Sequence, residues 1–203
     1  MKPLMIFDLD GTLVDSLPDI AWSLNQALKD EGLPTYPETT IQSFIGSGTQ
    51  KLLERAAQGE VRESLAKAYR SYYDANLTCR TTVYPGIQEL LSGLNNCCLA
   101  IVTNKYQSAA DTIVNHFFPG VFHQIIGDGT YPRKPDPASV HSLMSHYGTD
   151  VTHTILVGDS EVDRDTARQA GISFVGVDWG YDILNESVDF NRLTDHLRDF
   201  IKR

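Results

Sequence analysis

The sequence predicts an α/β protein, a doubly wound parallel sheet of Rossmann-like type that carries one inserted all-helical block. Short apolar runs of strand length alternate with helical patterns along most of the chain, as in parallel sheets covered by helices. Residues 17–81 are the exception, because only helical patterns occur there. Polar residues follow several predicted strands, at the position where open parallel sheets bind their ligands.

The first predicted strand is the apolar run Leu4–Leu9, whose nearly unbroken hydrophobicity is typical of a strand buried on both faces. After Pro18, apolar residues recur every four positions, which predicts a helix that ends near Gly32. Further helices are predicted at 38–44, 50–57 and 60–76. No stretch of residues 17–81 has the pattern of a buried strand.

The alternation of strands and helices resumes after Tyr84. In chain order we predict a helix at 85–94, a strand at 98–103, a helix at 107–117, a strand at 122–126, a helix at 137–147, a strand at 154–158, a helix at 161–170, a strand at 173–177 and a helix at 190–202. Right-handed crossovers place the carboxyl ends of these strands at one edge of the sheet. We therefore expect residues 1–16 and 82–203 to form the α/β core and residues 17–81 to form a separate helical insert.

Composition limits the classes of partner. A chain of 203 residues is long enough for one core with a small insert. Its net charge of −9, without a basic stretch, argues against a nucleic-acid partner. The three cysteines have neither disulfide nor zinc spacing, which favours a reducing cytoplasm. We expect no membrane partner, because there is no signal-peptide pattern and no segment near the roughly 20 apolar residues of a span.

Carboxylates follow two predicted strands. Asp8 and Asp10 end the first apolar run, and Asp159 and Asp163 follow the strand at 154–158. A buried carboxylate requires a compensating cation, and a set of carboxylate oxygens suits Mg²⁺. For Asp163 an alternative is open, since it also completes a capping-box pattern with Ser160.

Two further polar sites follow strands. Lys134 lies in a proline-rich loop that restricts its backbone, and we expect it to face the carboxylates; the alternative is a solvated loop lysine. Thr103 and Asn104 end another strand and offer a hydroxyl and backbone N–H groups to an anion; the alternative is an ordinary helix N-cap.

These residue types together indicate phosphoryl transfer. A carboxylate about 4 Å from a phosphate is repelled by about 4 kcal/mol per unit charge at an effective dielectric constant near 20. One Mg²⁺ and one lysine offset that repulsion, and such offsetting is how phosphoryl transfer is catalysed. Asp8 would attack phosphorus and form an aspartyl-phosphate, while Asp10 would protonate the leaving group and then deprotonate water.

Four segments resemble, in order, the motifs of the haloacid dehalogenase (HAD) superfamily: Phe7–Thr12, Val102–Asn104, Lys134–Pro137 and Gly158–Asp163. The resemblance implies that Asp8 is the nucleophile and that Asp10 is the general acid and base and a Mg²⁺ ligand through its carbonyl. It further implies that Thr103 binds the phosphoryl group, Lys134 stabilises charge, Asp159 binds Mg²⁺ and Asp163 supports the metal's water shell. The insert resembles a C1 cap that closes over the site, with hinges near Val14–Leu17 and Arg80–Tyr84.

Within the superfamily, Thr103–Lys105 and Gly176–Tyr181 are most similar to the phosphoglycolate phosphatase group. In the insert, a glycine-containing loop leads into a helix whose N–H groups would bind a substrate carboxylate, with Lys51 or Arg55 assisting. The substrate-binding candidates are Thr103, Asn104, Gly46, Ser47 and Lys51. A plain glycine turn is the alternative for the loop.

The sequence thus predicts a Mg²⁺-dependent phosphomonoester hydrolase that acts on a small phosphorylated metabolite, with 2-phosphoglycolate as the first expectation. The alternatives are a sugar-phosphate phosphatase, a pyrophosphatase or a phosphosugar mutase similar to β-phosphoglucomutase. From a different class, a non-catalytic phospho-accepting module is the remaining alternative. We expect a cytoplasmic monomer or homodimer.

Overall fold

An open parallel sheet forms the centre of the molecule in the computed structural model, which describes residues 2–182 and 184–202. The strands are β1 (Leu4–Phe7), β2 (Val14–Asp15), β3 (Thr82–Val83), β4 (Cys98–Tyr106), β5 (Gln124–Asp128), β6 (Thr154–Gly158), β7 (Ser173–Val177) and β8 (Ser187–Val188). The helices are α1 (Leu17–Asp30), α2 (Glu38–Gln42), α3 (Thr49–Ala57), α4 (Glu63–Asp74), α5 (Ile87–Ser92), α6 (Gln107–Phe117), α7 (Ala138–Tyr147), α8 (Glu161–Ala170) and α9 (Phe190–Ile201).

The sheet has the strand order β5-β4-β1-β6-β7-β8, and every neighbouring pair is parallel. After β1 the chain builds β4 and β5 on one side, and it then returns to build β6, β7 and β8 on the other. The order therefore reverses beside β1, which is the position where doubly wound sheets bind ligands. The predicted fold class is confirmed.

Helices cover both faces of the sheet because the side chains of each strand alternate in direction. Met5 and Phe7 of β1 belong to the apolar cluster that includes residues of α6 and α9. Leu4 and Ile6 belong to the opposite cluster, with residues of α7 and α8. All four side chains of β1 are fully buried, which explains the continuous hydrophobicity of this strand in the sequence.

The helical insert, residues 17–81, lies in the chain between β2 and β3. Helices α1 and α4 pack against each other, and the insert's apolar residues continue the cluster on the α6 face of the sheet. Strands β2 and β3 form a short antiparallel ribbon in which Val14 pairs with Val83. The buried carboxylate of Asp19 accepts hydrogen bonds from the backbone N–H groups of Arg80 and Thr81, so it ties the start of the insert to its end.

Most predicted elements are present, with shifted ends. Strand β1 ends at Phe7 rather than Leu9, because the carbonyl of Leu9 accepts turn hydrogen bonds from Leu13 and Val14. Strand β4 continues to Tyr106, past the predicted end at Thr103. The short strands β2, β3 and β8 were not predicted, since two residues are too few to show a period. Among the described residues, no helix has the length and apolar character needed to span a membrane.

Candidate active site

A pocket opens at the carboxyl ends of β1, β4 and β6, where the helical insert covers the sheet edge. It encloses about 720 Å³ of empty space, its open mouth included. The α/β core contributes charged and polar groups to it, and the insert contributes mainly apolar and aromatic side chains. Its lining includes Asp8, Asp10, Thr103, Asn104, Lys105, Lys134, Asp159 and Tyr181 from the core, and Ile20, Ile45, Gly46, Leu52, Tyr69 and Tyr73 from the insert.

Three buried carboxylates converge at the floor of this pocket. Asp8 follows β1, Asp159 follows the adjacent strand β6, and Asp163 lies in the first turn of α8. One oxygen of each lies within 4.8 Å of an oxygen of the others. Burial, with the charges of Asp8 and Asp163, raises the pKa of Asp159 to about 7. Three buried carboxylates with only oxygen donors fit a hard divalent cation such as Mg²⁺.

Asp159 is fixed by close backbone approach from two sides. A Cβ at Gly180 would lie 2.1 Å from the Cβ of Asp159, and one at Gly11 would lie 2.4 Å from its Oδ2. Thr12 Oγ1 donates to Asp159 Oδ1 at 2.9 Å, and the backbone N–H of Tyr181 donates to Oδ2 at 2.8 Å. The two glycines are therefore required by space, and the carboxylate is held in one orientation.

Lys134 joins two of the carboxylates. Its Nζ lies 2.8 Å from Asp8 Oδ1 and 2.6 Å from Asp163 Oδ1, and its side chain is 2% exposed. Burial opposes the lysine's charge, but the charges of Asp163 and Asp8 outweigh it and raise the lysine's pKa overall. The alternative of a solvated loop lysine does not fit this burial. For Asp8 the balance is opposite. The cost of burying its charge outweighs the attraction of Lys134, and the pKa of Asp8 is raised to about 6.

Asp163 completes the capping box that the sequence offered as one of its two roles, and its role at a metal stays a prediction. Its Oδ2 accepts hydrogen bonds from the backbone N–H of Ser160 at 3.2 Å and from the Ser160 hydroxyl at 2.5 Å, which completes a capping box at the start of α8. Its Oδ1 contacts Lys134. The capping box uses Oδ2 and the lysine contact uses Oδ1, so the carboxylate makes both contacts at once.

Thr103 and Asn104 lie in β4 and line the pocket. The Thr103 hydroxyl accepts a hydrogen bond from the backbone N–H of Lys105 at 3.3 Å. Asn104 Oδ1 accepts from the backbone N–H of Lys134 at 2.9 Å, and its Nδ2 donates to the carbonyls of Lys134 and Gly46, each at 3.1 Å. Asn104 therefore holds the lysine loop and one loop of the insert in fixed relation.

Asp10 lies apart from the three converging carboxylates and has a lysine of its own. Lys105 Nζ lies 2.8 and 2.9 Å from the two oxygens of Asp10, and Ser16 Oγ donates to Oδ1 at 2.5 Å. Lys105 was not predicted as a site residue, although it ends the Thr103–Lys105 segment that carries part of the family resemblance. Periodicity carries no signal for this contact, because it joins the end of β4 to the loop after β1.

The insert's candidate residues have different positions. Gly46 lines the pocket, whereas Ser47 and Lys51 are not among its described lining residues. Lys51 Nζ contacts Glu54 at 2.8 Å, and its side chain is 57% exposed. Arg55 donates to the carbonyl of Phe44 at 2.8 Å and lies 3.5 Å from the Ser47 hydroxyl, so it braces the loop from outside.

Tyr181 is a second residue that was not predicted to belong to the site. Its hydroxyl accepts hydrogen bonds from the backbone N–H groups of Ser16 and Leu17 at 2.7 and 2.8 Å and donates to Asp15 Oδ1 at 3.0 Å. Its carbonyl accepts from Gln42 of the insert at 2.8 Å. Tyr181 therefore links the Asp159 cradle to the segment where the insert begins.

Comparisons with known proteins agree with this architecture. The family model of the haloacid dehalogenase-like hydrolases matches residues 5–177. The phosphoglycolate phosphatase of Cereibacter sphaeroides is 38% identical over 190 residues, covering 88% of this chain and 86% of that protein. The one from Mesorhizobium japonicum is 35% identical over 191 residues, covering 89% and 84%.

Solved structures agree as well. The crystal structure of a predicted phosphoglycolate phosphatase from Haemophilus somnus superposes with a TM-score of 0.88 at 33% identity, covering 98% of this chain and 97% of that one. A predicted phosphatase from Clostridium acetobutylicum superposes with a TM-score of 0.85 at 23% identity, which shows the shared fold. The chain belongs to the haloacid dehalogenase-like hydrolase family.

Proposed function

We propose that this protein is a Mg²⁺-dependent phosphatase that hydrolyses small phosphomonoesters, with 2-phosphoglycolate as its first candidate substrate. The observation that carries the proposal is the buried cluster of Asp8, Asp159 and Asp163, with Lys134 bridging the first and the last. The names of the relatives, phosphoglycolate phosphatases at 35% and 38% identity, support the choice of substrate.

In the proposed reaction, Asp8 supplies the nucleophile and Asp10 moves the proton. A carboxylate oxygen of Asp8 attacks phosphorus, the bond from phosphorus to the alcohol oxygen breaks, and Asp10 gives that oxygen a proton. Asp10 then takes a proton from water as the water attacks the phosphorus of the aspartyl-phosphate. Inorganic phosphate leaves and the Asp8 carboxylate is restored, so that one water is consumed for each ester bond broken.

The remaining core residues would bind the metal and neutralise the negative charge of the phosphoryl group. Asp8, Asp159, Asp163 and the carbonyl of Asp10 would hold Mg²⁺, which supplies Lewis-acid stabilisation of the phosphoryl oxygens when bound. Lys134 keeps one positive charge beside Asp8, because two carboxylates hold its ammonium group. Thr103 offers its hydroxyl to the phosphoryl group from within β4.

The helical insert, residues 17–81, would act as the cap that excludes water from this charged floor. The β2–β3 ribbon lies where we predicted the hinges, and Asp19 links the two connecting segments there. We also propose that the protein acts in the cytoplasm, as a monomer or a homodimer.

Phosphate release from a panel of compounds tests the proposal. The panel contains 2-phosphoglycolate, sugar phosphates, nucleoside monophosphates and pyrophosphate, each with Mg²⁺ and with EDTA. We expect release that requires Mg²⁺ and is fastest with 2-phosphoglycolate. Faster release from a sugar phosphate or pyrophosphate would transfer the proposal to that substrate. Isomerised product without release would indicate a mutase, and a persistent phosphorylated Asp8 without turnover would indicate a phospho-accepting module.

A further inference from the structure

We propose that Lys105, together with Tyr73 of the insert, recognises a carboxylate on the leaving group of the substrate. The pocket would then select phosphomonoesters that carry a carboxylate one carbon away from the ester oxygen. This inference rests on the proposed phosphatase function and adds the residues that set its specificity.

Lys105 lies next to the place that the leaving group would occupy, because it contacts Asp10. In the proposed reaction Asp10 contacts the leaving oxygen, and Lys105 Nζ lies 2.8 and 2.9 Å from the two oxygens of Asp10. A group attached to the carbon next to the leaving oxygen therefore lies close to this ammonium. The side chain of Lys105 is 4% exposed, so its charge is directed at the pocket rather than at bulk solvent.

Lys105 has a donor left for a ligand. An ammonium group has three N–H donors and no acceptor. Two contacts go to Asp10, and the Nζ also lies 4.9 Å from the centroid of the Tyr73 ring. Lys105 can therefore bind Asp10 and a substrate carboxylate at once, without releasing either.

Tyr73 supplies a second, independent observation. Its side chain lines the pocket and is buried, and its hydroxyl has no hydrogen bond of normal geometry, although it lies near the Ser16 hydroxyl and Asp10. Buried hydroxyl groups are normally satisfied, and one without a normal hydrogen bond is able to donate to a ligand. A substrate carboxylate beside Lys105 would accept this hydrogen bond.

The charges in the rest of the pocket leave few other places for a second anionic group. Asp8, Asp10 and Asp159 line the floor and repel it. Among the described lining residues the lysines are Lys105 and Lys134, and two carboxylates already hold Lys134. From the insert, Gly48 and Thr49 at the start of α3 also line the pocket and offer N–H groups without a full charge.

The test compares two esters of nearly equal size on one enzyme preparation. 2-Phosphoglycolate and ethyl phosphate differ by a carboxylate in place of a methyl group. We expect wild-type protein with Mg²⁺ to prefer 2-phosphoglycolate in kcat/KM. Lys105→Met should lower that preference about 10- to 100-fold, mainly through KM, because it removes a charge-assisted hydrogen bond. The ratio on one preparation does not depend on the fraction of folded enzyme.

Further variants refine the test. Tyr73→Phe keeps the ring and removes the hydroxyl, so the preference should fall about 2- to 10-fold. Lys67→Met is the matched control, since this exposed lysine of α4 contacts only Glu63 in the described ion pairs, and the preference should not change. Free glycolate should inhibit hydrolysis of ethyl phosphate by wild type more strongly than by Lys105→Met. If Lys105→Met does not fold, Lys105→Gln serves in its place.

Equal losses for both esters in Lys105→Met would mean that Lys105 serves Asp10 alone, and the inference would be wrong. An unchanged preference in that variant would also overturn it. If wild type hydrolyses both esters equally, the phosphatase function stands and the carboxylate site does not. If wild type releases phosphate from no compound of the panel, the proposed function itself fails.

Discussion

Two buried lysines lie in the same pocket, and their surroundings differ. Lys134 contacts two carboxylates of the α/β core, Asp8 and Asp163. Lys105 contacts one carboxylate, Asp10, and faces a tyrosine ring of the helical insert. Lys134 is thus committed to the floor of the site, whereas Lys105 lies where the core meets the insert.

We infer from this difference that Lys134 serves the reaction itself, whereas Lys105 serves the choice of substrate. A lysine held between two carboxylates has its charge balanced within the protein and can serve every phosphomonoester alike. A lysine with one carboxylate partner and an unsatisfied hydroxyl beside it, from Tyr73, can distinguish between leaving groups. The following predictions test this division, from the largest expected effect to the smallest.

The largest effect should come from Asp8→Asn. The amide is a poor nucleophile, so phosphate release should fall by at least about 10³-fold for every substrate while the fold is retained. Phosphate release and circular dichroism measure the two properties. Asp165→Asn, at a half-exposed carboxylate of α8 that contacts Arg168, is the control and should keep wild-type activity. Wild-type turnover in Asp8→Asn would disprove the assignment of the nucleophile.

Lys134→Met should slow both esters, in contrast to Lys105→Met. We expect kcat to fall about 10²- to 10³-fold for 2-phosphoglycolate and for ethyl phosphate alike. The variant should also lose roughly 3–5 kcal/mol of unfolding free energy, because two buried carboxylates lose their cation. Steady-state kinetics and urea unfolding measure these losses. A loss confined to 2-phosphoglycolate would contradict the division between the two lysines.

Asp159→Asn should stabilise the metal-free protein at alkaline pH. Burial raises the pKa of Asp159 from 3.8 to about 7, so the folded state binds this proton more tightly than the unfolded state. The ionised carboxylate therefore costs stability above pH 7, and the cost disappears as the pH falls toward 4. The variant avoids a cost on the order of 4 kcal/mol, which corresponds to the difference between a pKa of 3.8 and one of about 7.

Thermal unfolding between pH 4 and pH 8 measures this effect, with EDTA present. The melting temperature of Asp159→Asn should exceed that of wild type at pH 8, and the two should converge near pH 4. Addition of Mg²⁺ should then stabilise wild type more than the variant. A variant less stable than wild type at pH 8 in EDTA would contradict the prediction.

The smallest effect should come from Lys51→Met. Its ammonium is exposed and contacts Glu54, and such surface ion pairs contribute about 0–1 kcal/mol. If Lys105 recognises the carboxylate, Lys51→Met should change the preference between the two esters less than about twofold, as measured by kcat/KM. A tenfold loss of preference would return that role to Lys51.

The elements that the sequence predicted best are those with strong local patterns. Strand β6, helix α8 and strand β7 have the predicted boundaries, because each apolar run is bounded by residues that end it. The ends of β1 and β4 were misplaced, since turn hydrogen bonds and a neighbouring strand decide where pairing stops. The β2–β3 ribbon carries no local signal, because it forms only when both ends of the insert meet.

The residues of the candidate site also fall into two groups, those that the sequence predicted and those that it did not. Asp8, Asp159 and Lys134 were predicted because charged residues directly after apolar strands or in a rigid loop are conspicuous in a sequence. Lys105 and Tyr73 were not placed in the site. A lysine after a strand and a tyrosine in an amphipathic helix are ordinary residues until packing directs them into one pocket.

By itself the sequence determined the parallel sheet, the edge of the sheet that carries the carboxylates, and the identity of the acidic groups that indicate Mg²⁺. Only the tertiary structure decided which lysine faces which aspartate, and that Lys51 faces solvent while Lys105 faces the pocket. The physical reason is that the periodicity of strands and helices is local. The partner of a long flexible side chain is set by groups far apart in the chain, such as Asp10 and Tyr73, that packing brings together.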